Sequence, residues 1–196
     1  MAADEPVRLV RPLQAAQPPA MRAVDAGILL LEPQTATHAA AMFQVLSDPA
    51  IYLYENQPPA SLESLRTRFA RLESRQSADG SQQWLNWVLR LPGGALAGYV
   101  QATVYPDRRA TIAYELASAY WGRSLARTAT EAMLRELVAS YGVDSFSALL
   151  KRDNLRSLHL LQRLGFRLAS AALQRRSEVP PDELLMVRRA SAGGGS

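Results

Sequence analysis

The sequence predicts a mixed α/β domain with a single central sheet of about seven strands, mostly antiparallel, and helices on both faces. Three observations carry this. Strand-like and helix-like segments alternate through residues 27–189 in the order β-α-α-β-β-β-α-β-α-β-β. Three consecutive strands are joined by tight turns at Pro92-Gly93-Gly94 and Pro106-Asp107, the pattern of an antiparallel meander. A long helical stretch then separates strand 110–116 from strand 146–150, as a crossover requires.

The elements follow in order. Residues 1–23 are rich in Ala, Pro, Gln and Arg, with Pro12, Pro18 and Pro19 against any helix, and read as a flexible leader to a domain over 24–190. Gly27 to Glu32 is an apolar strand. Thr35 caps a helix that runs to Leu46 and stops at Asp48-Pro49. Ser61 caps a second helix reaching about Gln76. The meander comprises 84–90, 96–105 and 110–116. Helix 124–140 ends near Gly142, and residues 146–150 form a short buried strand. Asp153 or Asn154 caps a helix over 155–164, with Gly165 as its stop. Residues 166–173 and 183–189 close the domain as two strands, and 191–196 (SAGGGS) form a flexible tail.

Composition narrows the function classes. At 48% hydrophobic and 20% charged residues, the 196-residue chain is an ordinary globular sequence, long enough to bury a core. It has no cysteine, which excludes a disulfide framework and a thiolate nucleophile. No run approaches the roughly 18 apolar residues of a membrane span, and no secretion signal opens the chain, so a cytoplasmic protein is expected. The net charge of +4 favours an anionic ligand. Arg66, Arg68, Arg71 and Arg75 read as a solvated helix face with Glu63 and Glu73. No basic run is interleaved with aromatics, which argues against nucleic acid. His38 and His159 lack partners at ligand spacing, so no metal is expected.

The most informative stretch is Trp121 to Met133, a tight turn that opens into a helix. A helix start leaves amide N–H groups without partners and carries partial positive charge, which suits a phosphate. Gly122, Ser124 and Ala126 let the backbone come close, and Arg123 and Arg127 add charge in the first turns. Leu125, Ala129, Ala132, Met133 and Leu137 share one face, as a helix packed on a sheet demands.

These residues resemble the GNAT acyltransferase superfamily, which uses acetyl-coenzyme A, and more narrowly the branch of ribosomal-protein N-terminal acetyltransferases. The superfamily turn reads Gln/Arg-x-x-Gly-x-Gly/Ala. Here it is Trp121-Gly-Arg-Ser-Leu-Ala126, and the branch commonly has a Trp-Gly pair at this point. IAYEL (112–116) is similar to the strand that feeds the turn. DNLRSLHLLQRLGF (153–166) is similar to the branch's Asn-x-x-Ser, then Leu-x-x-x-Gly-Phe signature. The resemblance implies a splayed sheet, with acetyl-CoA as co-substrate. The pyrophosphate would sit on the turn formed by Trp121, Gly122, Arg123, Ser124, Leu125, Ala126 and Arg127. The pantetheine arm would pair with the backbone from Glu115 through Leu116 to Ala117, and Asn154 and Ser157 would face its far side. Ser124 replaces the turn's usual central glycine, so its side chain either crowds the phosphate or donates to it. Leu161 stands where many members carry a tyrosine acid, and Thr111 where many carry a glutamate base.

Thr111, Ala113 and Glu115 share a strand face. Glu115 is therefore the candidate base, or else a rim carboxylate that orients substrate. Tyr114, on the opposite face, reads as core. In the family the loop between the first two helices walls the acceptor groove. Tyr52, Tyr54, Glu55 and Asn56 would supply aromatic surfaces with polar tips, or else form a packed surface loop. Trp84 and Trp87 read as core, and Asn86 on a buried strand either finds a partner or faces the groove.

The expected activity is transfer of acetyl from acetyl-CoA to a primary amine by direct attack. The amine belongs to a protein N-terminus, a lysine or a small molecule, and few acids mark the groove, which favours a peptide-like or neutral amine. The alternative is a non-catalytic acyl-CoA sensor or docking module. The resemblance leaves a homodimer open.

Overall fold

The computed structural model describes residues 19–54 and 57–190. Its sheet begins with β1 (Val24–Asp25), β2 (Leu30–Pro33), β3 (Gln83–Arg90), β4 (Leu96–Val104) and β5 (Arg109–Leu116), all antiparallel in that order. β6 (Ser145–Lys151) joins β5 in parallel. Beyond it come β7 (Arg167–Leu168) and β8 (Glu183–Arg189), giving the spatial order β1-β2-β3-β4-β5-β6-β8-β7. The helices are α1 (Ala39–Val45), α2 (Leu62–Leu72), α3 (Leu125–Tyr141), α4 (Leu155–Arg163) and α5 (Ala171–Arg176).

Local chemistry accounts for the helix ends. The Ser61 and Ser64 side chains each accept from the other's amide at 3.1 Å, closing a capping box at the start of α2. Asn154 Oδ1 accepts from the Ser157 amide at 3.1 Å and starts α4. Gly142, at φ 64°, ends α3 with its amide on the Leu137 carbonyl.

Alternation along β3 divides the two faces of the sheet. Trp87 and Leu89 bury with Val100, Ile112 and Leu116 beneath Ala129, Met133 and Leu137 of α3. Trp87 is fully buried, and its indole N–H donates to the Arg22 carbonyl at 3.0 Å. On the other face Val88 and Leu96 pack under Ala39, Met42, Leu65 and Phe69 of α1 and α2. Burial of Leu65 and Phe69 contributes about 1.5–3 kcal/mol each and holds α2 over the sheet. Further along, this same face turns polar. Asn86, Gln101 and Ala113 lie opposite one another in register, as do Trp84, Thr103, Thr111 and Ser147. This half-covered polar surface floors the site.

Several expectations are corrected. The sheet has eight strands, because Val24–Asp25 adds a short edge. Residues 166–173 do not form one strand. Pairing stops after Leu168, and the Ser170 side chain accepts from the Leu173 amide and caps α5. Ala171 to Arg176 are mostly good helix formers, and local propensity wins at an edge where few neighbours oppose it. The helix after Thr35 opens as a 3₁₀ turn, Ala36–His38, and α2 ends at Leu72. Trp84 is half-buried and lies outside the core clusters.

Met21 packs on the core, and Arg22 donates twice to the buried Glu136, at 2.9 and 2.6 Å, holding its carboxyl below the usual range.

Candidate active site

β6 accompanies β5 only from Arg109 to Thr111, where the Thr111 and Ser147 hydroxyls meet at 3.0 Å. From Ile112 onward the strands diverge. The gap opens into a cavity of about 440 Å³ bordered by Ala113, Tyr114 and Glu115 on one side and Ala148, Leu149 and Leu150 on the other. A second cavity of about 130 Å³ continues toward the turn, past Leu116, Trp121, Ala126 and Arg156. Tyr54, Tyr114, Glu115, Asn154 and Ser157 border both.

At the outer end, a 3₁₀ turn at Ser118–Tyr120 leads into the loop before α3. Gly122 and Ser124 both have positive φ, 75° and 59°. A left-handed backbone at Ser124 costs roughly 1 kcal/mol or more relative to glycine. The Ser124 side chain makes no hydrogen bond to its own helix start. Among the described residues, no group accepts from the amides of Arg123, Ser124, Leu125 and Ala126. Arg123 and Arg127 are exposed beside them. The fit for an anion is good: bare donors, fixed dipole and adjacent guanidinium groups.

The middle of the passage is more committed. The Trp121 indole N–H donates to the Leu116 carbonyl at 2.9 Å, and the Ala117 amide donates to the Ala97 carbonyl at 3.0 Å. Arg156 stacks on the Trp121 ring at 3.5 Å from its centre. Gly98 makes the Ala97 contact feasible, since a Cβ there would lie 2.0 Å from the Glu115 carbonyl oxygen.

At the inner end, Glu115 Oε2 accepts from the Tyr99 hydroxyl at 2.6 Å. Burial and the Glu115 charge raise the Tyr99 phenol well above its ordinary pKa. The same two causes, burial first, push Tyr52 up to about 12. Both phenols therefore stay protonated as donors near neutral pH. Tyr52 spends its proton on the Leu46 carbonyl at 2.7 Å, so it offers the cavity a ring and not a polar tip. Tyr54 is 40% exposed at the mouth. Asn86 is buried, faces the cavity, and accepts at its backbone carbonyl from the Gln34 amide. Glu55 and Asn56 lie outside the described residues. Asp48 ties the loop to the 3₁₀ turn after β5, accepting from the amides of Ser118 at 2.7 Å and Ala50 at 3.0 Å. Those bonds hold its carboxyl below the usual range.

Tyr114 corrects its reading as core. Its ring packs against the α3 side, yet its hydroxyl lies 2.7 Å from Ser157 Oγ, at the edge of both cavities. Leu161 is buried and presents no proton donor to the cavity. Sequence reasoning missed Tyr114, Tyr99, Arg156 and Gln101; Arg68 and Arg71 are exposed, as the sequence implies, and also border the cavity. The signal for Tyr114 and Arg156 was present. The Asn154 cap sets the phase of α4 and so points Ser157 back at the strand. Among the described residues no group of His, Cys, Asp or Glu is placed to hold a metal, and no helix is long and apolar enough to cross a membrane.

A strand pair parted at one end, with a bare helix start beside it, defines an acyl-CoA-dependent transferase fold. The family model for the GNAT acetyltransferase domain matches residues 29–167, and the chain belongs to this family. It is an acyltransferase that uses acetyl-CoA as co-substrate to acetylate amines. Its fold is similar to RimL, a ribosomal L7/L12 alpha-N-protein acetyltransferase solved with coenzyme A. The TM-score is 0.74 at 17% identity, covering 87% of this chain and 99% of that one. RimJ of Mycobacterium smegmatis, solved with CoA-disulfide, gives 0.70 at 24% identity over 88% and 87%. The ribosomal-protein-S5-alanine acetyltransferase of Vibrio fischeri gives 0.70 at 15% identity over 89% and 100%.

Proposed function

We propose that the protein acetylates the N-terminal amine of a peptide by direct attack on acetyl-CoA, with Glu115 as the base. The observation that carries this is the convergence of Glu115 and the Tyr114–Ser157 hydroxyl pair on one cavity at the strand gap. Amine acetylation must remove a proton from the nucleophile and return one to the leaving thiolate. Here the two groups approach from opposite sides of β5.

The amides of Arg123 through Ala126 hold the pyrophosphate, assisted by Arg123 and Arg127. The pantetheine arm lies along Ile112 to Glu115, since the Leu116 carbonyl and the Ala117 amide already have protein partners. Asn154 uses Oδ1 for its helix, which leaves its amide N–H₂ for the arm. Trp121 and Leu125 shape the turn, and Arg156 stacked on Trp121 narrows the passage. The thioester carbonyl rests at the parted edge of β5, where a backbone N–H steadies the developing oxyanion. Glu115 takes the ammonium proton directly or through one water, the nitrogen bonds to the acetyl carbon, and the C–S bond breaks. The thiolate takes the Ser157 hydroxyl proton, Tyr114 reprotonates Ser157, and the second proton that the nitrogen sheds on becoming an amide returns through water to Tyr114, while Glu115 gives its proton to solvent. Tyr54 and Asn86 border the acceptor. Acetyl-CoA and new protein N-termini meet in the cytoplasm, which we take as the compartment. A homodimer is compatible with this reading and plays no part in it.

Free-thiol release from acetyl-CoA with a panel of N-terminal peptides tests the reading, with mass spectrometry locating one acetyl group on the α-amine. Tight CoA binding without turnover on any amine would make the protein a sensor instead, and the left-handed Ser124 is the feature that favours that outcome.

A further inference from the structure

Two exposed cations border the acceptor groove, and among the described residues neither has an anionic protein partner. Arg68 and Arg71 lie one turn apart on α2, and both face the 440 Å³ cavity. Neither makes an ion pair among the described residues. The acids on that helix and just past it are engaged elsewhere: Glu63 pairs with Arg66 at 3.2 Å, and Glu73 accepts from the Ala36 amide. Glu115 is the one carboxylate that borders the cavity among the described residues. The Arg68 charge is felt at the reaction centre, where it lowers the Tyr52 and Tyr99 phenols against the burial that raises them.

The floor between these charges reads backbone. Gln101 and Asn86 lie side by side in register with Ala113, and Gln34, 3% exposed, extends the row beyond β3. Amide side chains offer both donors and acceptors, as a peptide main chain needs. From the gap beside β5 to Gln34 is three strand spacings, about 14 Å. An extended peptide covers that in roughly four residues.

We infer that the acceptor is a peptide N-terminus bearing an acidic side chain within its first four residues, its amine at Glu115 and its carboxylate against Arg68 and Arg71. This rests on the acyl-transfer reading and names its substrate class. A guanidinium pair binds a carboxylate through charge-assisted hydrogen bonds and repels a basic side chain, so it selects in both directions.

The test uses the full chain, acetyl-CoA, and hexapeptides identical except at the third residue, which is Asp, Asn or Lys. The expected order of kcat/KM is Asp above Asn by about tenfold, with Lys lowest, expressed mainly in KM. Adding 0.5 M salt compresses the order. Arg68→Gln with Arg71→Gln brings the Asp/Asn ratio to near one, whereas Arg66→Gln, outside the groove, leaves it unchanged. Equal kcat/KM for the three peptides, or preference for Lys, overturns the inference and leaves acyl transfer standing. A ratio that survives the double substitution also overturns it. No turnover on any of the three peptides overturns the peptide-acceptor reading of the proposed function, and the inference falls with it.

Discussion

Glu115→Gln is the most instructive single change. Glutamine keeps the side-chain shape, and its carbonyl oxygen still accepts from the Tyr99 hydroxyl, which lies 2.6 Å from the carboxylate. The bond drops from charge-assisted to neutral, a loss of about 1 kcal/mol, so the protein stays folded. The chemical cost is larger. Losing a general base is worth ~10²–10⁴ in rate, so kcat falls at least about 100-fold while the KM for acetyl-CoA holds. The charge leaves a second trace. Glu115 is one cause of the rise of Tyr52 to about 12, so the phenol titrates lower in the variant, although burial keeps it above its ordinary value. Stopped-flow thiol release over pH reads the first effect, and ultraviolet phenolate titration reads the second. If kcat stays within threefold of the parent with the same acidic limb, Glu115 is not the base. If the phenol moves while kcat does not, Glu115 is only a rim charge.

Other outcomes follow from the same geometry. Asp48→Ala removes the acceptor for the Ser118 and Ala50 amides, lowers stability by about 1–2 kcal/mol in urea melts and raises the KM for acceptor. Because the folded pKa of Asp48 is depressed, its contribution is complete above the unfolded carboxylate pKa and is lost as pH falls through the folded value; the variant should lack this acid component. Ser124→Gly relieves the left-handed strain and raises the melting point, by roughly 1 kcal/mol in stability; an unchanged or lower value refutes strain at φ 59°. Gly98→Ala forces a methyl to within 2.0 Å of the Glu115 carbonyl and costs about 1–3 kcal/mol, with kcat falling as β5 shifts.

The legible parts of the fold were those with strong local chemistry. Ser61 and Asn154 announced their helices, and Pro92-Gly93-Gly94 and Pro106-Asp107 their hairpins. Residues 166–173 misled because Phe166, Leu168 and Ala169 suit a strand while Ser170-Ala171-Ala172 starts a helix, and only the short pairing with β8 decides between them. At the site, the turn at 121–126 and the Asn154–Ser157 pair were readable because each is a contiguous stretch of backbone. The groove was not. Tyr114 read as core because alternation assumes a sheet covered on both faces, and the parted strands expose that edge. Arg68 and Arg71 are exposed as their helical phase implies, but phase does not say that a cavity lies under that rim of α2. Arg75 departed from the solvated face for another reason. Its backbone is left-handed at φ 59°, and its half-buried guanidinium donates to the Gln34 carbonyl.

The central claim is that the bare amides at the start of α3 receive the CoA pyrophosphate. Calorimetry of acetyl-CoA binding to the parent and to Arg123→Glu measures this most directly. A clear binding heat for the parent and a dissociation constant at least tenfold weaker for the variant are predicted, because the substitution reverses a charge beside the phosphates. Equal affinity for the two proteins, or no heat at millimolar acetyl-CoA for the parent, would contradict it.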